Sequence, residues 1–172
     1  MNRPLLIASI ALALLLVILS AASYSSLPQQ IPMHFGPVGV DRWARKTWFT
    51  WFGLPLMALG LCAINYVIGA LLAGRPSLMN VPRKERLLAL PRERQRRVMR
   101  WWWVLVQSIG FIELLIMSEA QYGIWRAAAA NENAGRAIAV LATVTSLCVL
   151  PLAFALIWQM RAEVERQEMA SE

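Results

Sequence analysis

Pro4–Tyr24 reads PLLIASIALALLLVILSAASY, a run without one charged side chain. A bilayer core of about 30 Å is crossed by about 20 apolar residues in helical form. Three further runs reach that length: Trp48–Ala73, Trp101–Trp125 and Arg136–Met160. Four such runs predict an all-α, polytopic membrane protein, a four-transmembrane-helix bundle forming a single membrane domain over residues 1–172. The expected helices are 4–24, 48–73, 101–125 and 136–160, with an outer loop at 25–47, a basic loop at 74–100 and a tail at 161–172. A hydrophobic fraction of 58% and a mean hydropathy of +0.50 agree, and no stretch of useful size is left for a soluble domain. Cys62 and Cys148 both fall inside predicted spans, where a thiol behaves as a small hydrophobe rather than as part of a disulfide framework.

The net charge of +7 is unevenly spread. Arg75, Arg83, Lys84, Arg86, Arg92, Arg94, Arg96, Arg97 and Arg100 lie between spans two and three, opposed only by Glu85 and Glu93. Short loops rich in Lys and Arg stay cytoplasmic. This predicts that the basic loop and both termini are cytoplasmic, while Ser25–Thr47 and Arg126–Gly135 face outward. Arg3 fits that topology. So do the aromatic residues, with Tyr24, Trp48, Trp51 and Trp125 at the outer boundary and Trp101, Trp102, Trp103 and Trp158 at the inner one. The first run also has a second reading, because Ser20-Ala21-Ala22-Ser23 resembles the small-residue cleavage site of a secretory signal. Its length favours a retained helix.

Small residues four apart, Gly69 with Ala73 and Ala70 with Gly74, predict close helix contact in span two, which Pro55 should kink. Span four offers Ala137, Ala139, Ala142, Thr143 and Ser146 before Pro151 bends it. Neither face sets an oligomeric state. Arg75–Leu90 is expected to be irregular or partly helical on the membrane surface, with Leu87, Leu88 and Leu90 dipping into it. Pro91 suits the first position of a helix that carries Arg92–Arg100 into Trp101. The tail, with Glu163, Glu165, Glu168 and Arg166, reads as a fraying, solvated helix end.

Between the first two spans stands Leu27-Pro28-Gln29-Gln30-Ile31-Pro32-Met33-His34-Phe35-Gly36-Pro37-Val38-Gly39-Val40-Asp41-Arg42-Trp43-Ala44-Arg45-Lys46. Its prolines and glycines forbid a long helix. Its apolar residues are too many for a linker, so a compact loop packed on the helix ends is expected, with Gly36 and Gly39 at turn positions of positive φ. The pattern of Leu27, Pro28, Ile31, Pro32, His34, Phe35, Gly36, Gly39, Asp41, Trp43 and Lys46 resembles the membrane domain of unknown function that begins the SdpI immunity-protein family. The resemblance covers Leu27–Lys46 closely and the flanking helices in type. The further membrane module of that family has no counterpart here. What the resemblance implies is a bacterial cytoplasmic-membrane protein that confers immunity to a secreted killing peptide, or that signals by holding a cytoplasmic repressor at the membrane.

His34 and Asp41, seven apart, are candidates for a metal or proton-transfer pair, or for a hydrogen bond that stabilises the loop. A structural metal site takes four ligands and a catalytic one three, so the hydrogen bond is favoured and no metal is expected. Asp41 equally suits loop amides, Arg42, Arg45 or Lys46. In span three, Glu113 lies mid-membrane between Gln107 and Ser108 on one side and Ser118, Glu119 and Gln121 on the other. An ionisable group at this depth is a functional candidate by default. Asn65 and Ser146 lie at a matching depth, so a polar clamp between helices is favoured over a proton or ligand path. Glu119 lies within reach of water or Arg126. The basic cluster, Arg83, Lys84, Arg86, Arg92, Arg94, Arg96, Arg97 and Arg100, is read as a contact for anionic lipid or a partner protein. No nucleic acid is expected, since no DNA-reading motif accompanies it. Without a catalytic triad, P-loop or metalloprotease motif, the chain is read as no enzyme and as needing no cofactor. Two functions follow as expectations: a sensor or immunity-type membrane protein, and a small transporter-like or channel-like component centred on Glu113.

Overall fold

The computed structural model describes residues 2–36, 39–81, 83–129, 140–141 and 143–170. In chain order they form α1 (Arg3–Tyr24), β1 (Gln30–Gly36), β2 (Gly39–Arg45), α2 (Trp48–Ala73), a short 3-10 turn (Pro76–Leu78), α3 (Lys84–Ala89), α4 (Arg92–Ala128) and α5 (Val149–Met169). Four helical segments are long and apolar enough to cross a membrane: Arg3–Tyr24, Trp48–Ala73, Arg92–Ala128 and Thr143–Met169. The protein is a multi-pass, all-α membrane protein with one small hairpin. The second segment has the expected bounds. The third carries the expected helical extension, Arg92–Arg100 running unbroken into Trp101 with Pro91 at the N-cap, and ends at Ala128, a little later than expected. The expected start of the fourth, at Arg136, lies outside the described residues, as do Ala137, Ala139 and Ala142 of its small face. Within that segment a turn falls at Cys148, four residues after Val144. Pro151 explains its place: the missing N–H leaves the carbonyl of Leu147 without its helical partner.

α4 is the hub, packing against α1, α2, α5 and β1. Its inward face carries Gln107, Gly110, Leu114 and Gln121, all buried and three to seven residues apart along one helical stripe. α1 and α2 are apolar on every side and leave Ile7, Leu14, Ile18, Leu56, Ile64 and Leu71 exposed, the pattern of helices whose outer surface is met by lipid. Where apolar side chains gain nothing by leaving lipid, close backbone approach and interhelical hydrogen bonds hold the bundle. Gly69 supplies such an approach. A Cβ there would lie 2.6 Å from Cγ1 of Val106. Beside it the Trp102 indole Nε1 donates to the Gly69 carbonyl at 3.1 Å. Mid-bundle, Leu16, Ala58 and Leu114 join α1, α2 and α4.

The end opposite the hairpin departs most from expectation. Met79, Leu87, Leu90, Val98, Met99, Met160 and Val164 form a hydrophobic core of their own. Leu87 and Leu90 are therefore buried in protein and not dipped into a membrane surface, while Leu88 is exposed. The C-terminal segment is no frayed end either. α5 runs to Met169, with Val164 and Glu163 buried against this cap. The reason is amphipathicity at three places at once: α3, the start of α4 and the end of α5 each carry an apolar stripe too narrow to see from one element, and each covers the others.

Candidate functional site

The hairpin end is built from its anchors outward. β1 and β2 pair antiparallel from Gln30↔Arg45 to Gly36↔Gly39, so the compact, ordered loop expected here takes the form of a hairpin. Residues 37–38 lie outside the described residues, and Gly36 and Gly39 are the paired strand ends on either side of them. Pro32 faces Trp43, His34 faces Arg42 and Phe35 faces Val40, so Met33 and then Asp41 stand out of the ladder. Such bulges turn side chains away from the regular alternation. Ile31, fully buried, packs with Leu27 and Trp51, and Tyr24, Phe52, Ile124 and Trp125 close over them. Trp51 is buried, and its Nε1 donates to the Ser20 carbonyl at 2.7 Å. Gln121 Nε2 in turn donates to the Trp51 carbonyl at 3.3 Å.

Lys46 ties the far side of the hairpin down. Its ammonium donates to the carbonyls of Leu27 at 2.7 Å and Tyr24 at 3.4 Å and lies 5.2 Å over the Tyr24 ring. Tyr24 stacks on Trp48, and Trp48 on Phe52, at 4.8 and 4.9 Å. Thr47 and Thr50 form a reciprocal capping box, and Thr50 Oγ1 also donates to the Arg45 carbonyl at 3.0 Å. The first turn of α2 and the last residue of β2 are thus one rigid junction. Pro28 is exposed beside this junction.

With its base so fixed, the hairpin leaves Met33, His34, Asp41 and Trp43 exposed. His34 Nδ1 and Asp41 Oδ1 are 2.6 Å apart, the loop-stabilising pairing favoured from sequence. An exposed pair of this kind contributes about 0–1 kcal/mol to the fold. No group of three His, Cys, Asp or Glu side chains able to hold a metal occurs among the described residues. Trp43 at 44% and Met33 at 42% exposure are large apolar side chains held outside any core.

A cavity of about 420 Å³ opens below the hairpin between α1 and α4, roofed by Trp51. It is lined almost wholly by carbon, from residues such as Leu12, Leu16, Leu19 and Trp125. Ser20 and Gln121 also line it. Ser20 Oγ and Gln121 Oε1 are buried and have no hydrogen-bond partner among the described residues. Sequence reading missed this site. The signal was present: Ser20, Ala22 and Ser23, which suggest a cleavage site, are cavity wall, and Gln121 lies on the inward stripe of α4.

The intramembrane polar residues divide. Asn65 Nδ2 donates to Glu113 Oε2 at 2.7 Å, joining α2 to α4, which is the clamp expected. Glu113 does not line the cavity. Gln107, fully buried, accepts from the Asn2 amide at 2.8 Å and donates to the Asn2 carbonyl at 3.2 Å, so it holds the start of α1. Glu119 meets Thr145, whose hydroxyl donates to Oε1 at 3.2 Å, rather than Arg126. Its Oε2 is buried without a partner among the described residues. Replacing Glu113 with Gln keeps an acceptor for Asn65 and should leave the unfolding temperature nearly unchanged. Glu113→Leu should cost about 0.6–2 kcal/mol, the range for interhelical polar contacts. A thermal comparison in the same detergent checks this, and an equal loss in both variants would show that the charge itself is needed.

The basic cluster is also divided. Arg83 pairs with Glu165 at 2.8 Å and Arg86 with Glu168 at 3.2 Å. Arg94 donates to the carbonyls of Gln167 at 2.7 Å and Ala170 at 3.1 Å, capping the C-terminus of α5. These three tie the basic segment to α5. Lys84 is half-buried, whereas Arg92, Arg96, Arg97 and Arg100 are exposed. Arg92, Arg96 and Arg100 recur every four residues and so share one face of α4.

A family model described as a domain of unknown function, DUF1648, matches residues 11–59. These residues span the cavity wall of α1, the whole hairpin and the first half of α2. No curated protein and no solved structure matches the chain.

Proposed function

We propose that this protein is a non-enzymatic membrane sensor or immunity-type protein of the SdpI-like N-terminal kind, working without cofactor in a bacterial cytoplasmic membrane. Its hairpin faces outward and meets a secreted peptide. Its termini and its basic cap face the cytoplasm. The observation that carries this reading is the hairpin itself: Met33 and Trp43 stand exposed on a support fastened by Ile31, Lys46 and Trp51. A rigid loop that holds large apolar side chains away from its own core is suited to binding a partner, because little order is lost on contact. On the other side, the Arg92–Arg96–Arg100 face lies where anionic headgroups are, at about 1 kcal/mol per basic residue. The same cap is the surface a repressor protein would use. The transporter-like reading finds less support, since Glu113 is held by Asn65 and lies off the cavity.

Orientation is tested first. In a chain lacking Cys62 and Cys148, Gln29→Cys should be labelled by an impermeant thiol reagent in intact cells and Ser77→Cys should not. A photoreactive residue at Met33, in cells grown with their native neighbours, is then expected to capture a secreted peptide, and one at Arg96 a lipid or soluble protein. Trp43→Ala should abolish the Met33 capture while leaving the unfolding temperature within a degree or two, as surface changes do. Labelling of Ser77→Cys from outside, or unchanged capture by the Trp43 variant, would overturn the proposal.

A further inference from the structure

We infer that the cavity between α1 and α4 is a binding site for a single-chain amphipath whose head is uncharged and carries a hydroxyl, such as a long-chain alcohol or monoacylglycerol. Its volume of about 420 Å³ lies within the usual range for small-ligand pockets. Its wall is apolar, and Leu15, Leu19 and Tyr122 at its edge are exposed on membrane-spanning helices, so an acyl chain can enter from the side without leaving the bilayer. The chemistry of the head follows from two oxygens. Gln121 is engaged through Nε2 with the Trp51 carbonyl, which leaves Oε1 as an acceptor in need of a donor. Ser20 Oγ, also orphaned, can accept or donate. Both residues are more than nine-tenths buried, and an unpaired polar atom at that depth is costly unless a partner arrives. A hydroxyl head satisfies both: its proton goes to Gln121 Oε1 and its oxygen takes the Ser20 proton. Among the described residues no charged side chain lines the cavity, so a carboxylate, phosphate or ammonium head would be buried there without a counter-charge. This site is distinct from the exposed hairpin face and does not depend on the sensor reading.

The test uses the whole protein in nanodiscs of phosphatidylethanolamine and phosphatidylglycerol. Three probes carry the same diazirine-bearing chain: palmityl alcohol, palmitate and palmityl phosphocholine. The alcohol should label α1 or the Ser118–Trp125 stretch of α4 roughly tenfold more than either charged probe, since only it avoids an unpaired charge. Ala22→Trp fills the cavity from its wall and should remove the labelling. Ser20→Ala takes away one hydroxyl only, because Trp51 bonds the backbone carbonyl, and should lower labelling about two- to tenfold. Both variants are checked for an unchanged unfolding temperature, and Gln121→Leu serves as a further variant if one is unstable. Equal labelling by the three probes, labelling spread alike over α1, α2 and α5, or no effect of Ala22→Trp would each overturn the inference. Selective labelling together with failed peptide capture at Met33 would leave this site standing and remove the sensor reading alone.

Discussion

Trp51→Ala should destabilise the protein by about 3–5 kcal/mol, the range for removing a large buried aromatic side chain. Trp51 is buried to 1% exposure, between the hairpin and three helices. Its ring touches Leu27 and Ile31, its indole N–H bonds the Ser20 carbonyl, and its own carbonyl accepts from Gln121. Truncation therefore enlarges the cavity that Trp51 roofs, and it removes the bond that sets α1 against α2. Trp51→Phe keeps most of the volume and should cost less, with the lost hydrogen bond accounting for about 0.5–1.5 kcal/mol. Trp48, three residues earlier and 69% exposed, is the control. Unfolding curves of the three variants in one detergent decide the matter. A Trp48→Ala variant as damaged as Trp51→Ala would contradict the anchor role.

Gly69→Ala should cost about 1–3 kcal/mol by overpacking, although alanine is the better helix former. The new methyl would sit 2.6 and 3.1 Å from the two Cγ atoms of Val106. Val106 is buried, and as a β-branched side chain on a helix it has essentially one rotamer, so it cannot swing aside. α2 and α4 must then move apart, which also stretches the Trp102 bond to Gly69. Val106→Ala in the same chain should restore most of the loss, a coupling expected only of residues in contact. Gly60→Ala, with nothing within 4 Å of its Cβ position, should be neutral or slightly stabilising. If Gly60→Ala and Gly69→Ala behave alike, close approach is not what holds these helices.

Much of this molecule is legible before folding is considered. The second helix begins and ends at Trp48 and Ala73 as hydropathy alone predicts, since a helix that is apolar all round needs no partner to be recognised. The Asn65–Glu113 contact is a depth argument made real: two polar groups at one level of a bilayer have little else to bond. Gly69 with Ala73 shows as a small-residue stripe, and it is the stripe that α4 meets.

Other features belong to the tertiary structure. A hairpin in 30–45 is hidden because its prolines break the alternation of a strand, and its two bulges shift the register that would otherwise show. The basic loop reads as one positive patch, yet Arg83, Arg86 and Arg94 are spent on the C-terminal helix. Their partners lie more than seventy residues away in sequence, and no local pattern ties them.

Hydropathy and charge along the chain are enough to mark four membrane-spanning helices and to set a charged end opposite a proline-rich one. Hydropathy and charge act residue by residue against a solvent that is the same everywhere at a given depth, so their sum can be read along the chain. That Trp51 roofs a cavity, that Ser20 and Gln121 share it and that the C-terminal helix closes a second core are settled by folding. Those outcomes depend on which side chains from distant segments arrive together, and on which polar atoms are left over when they do.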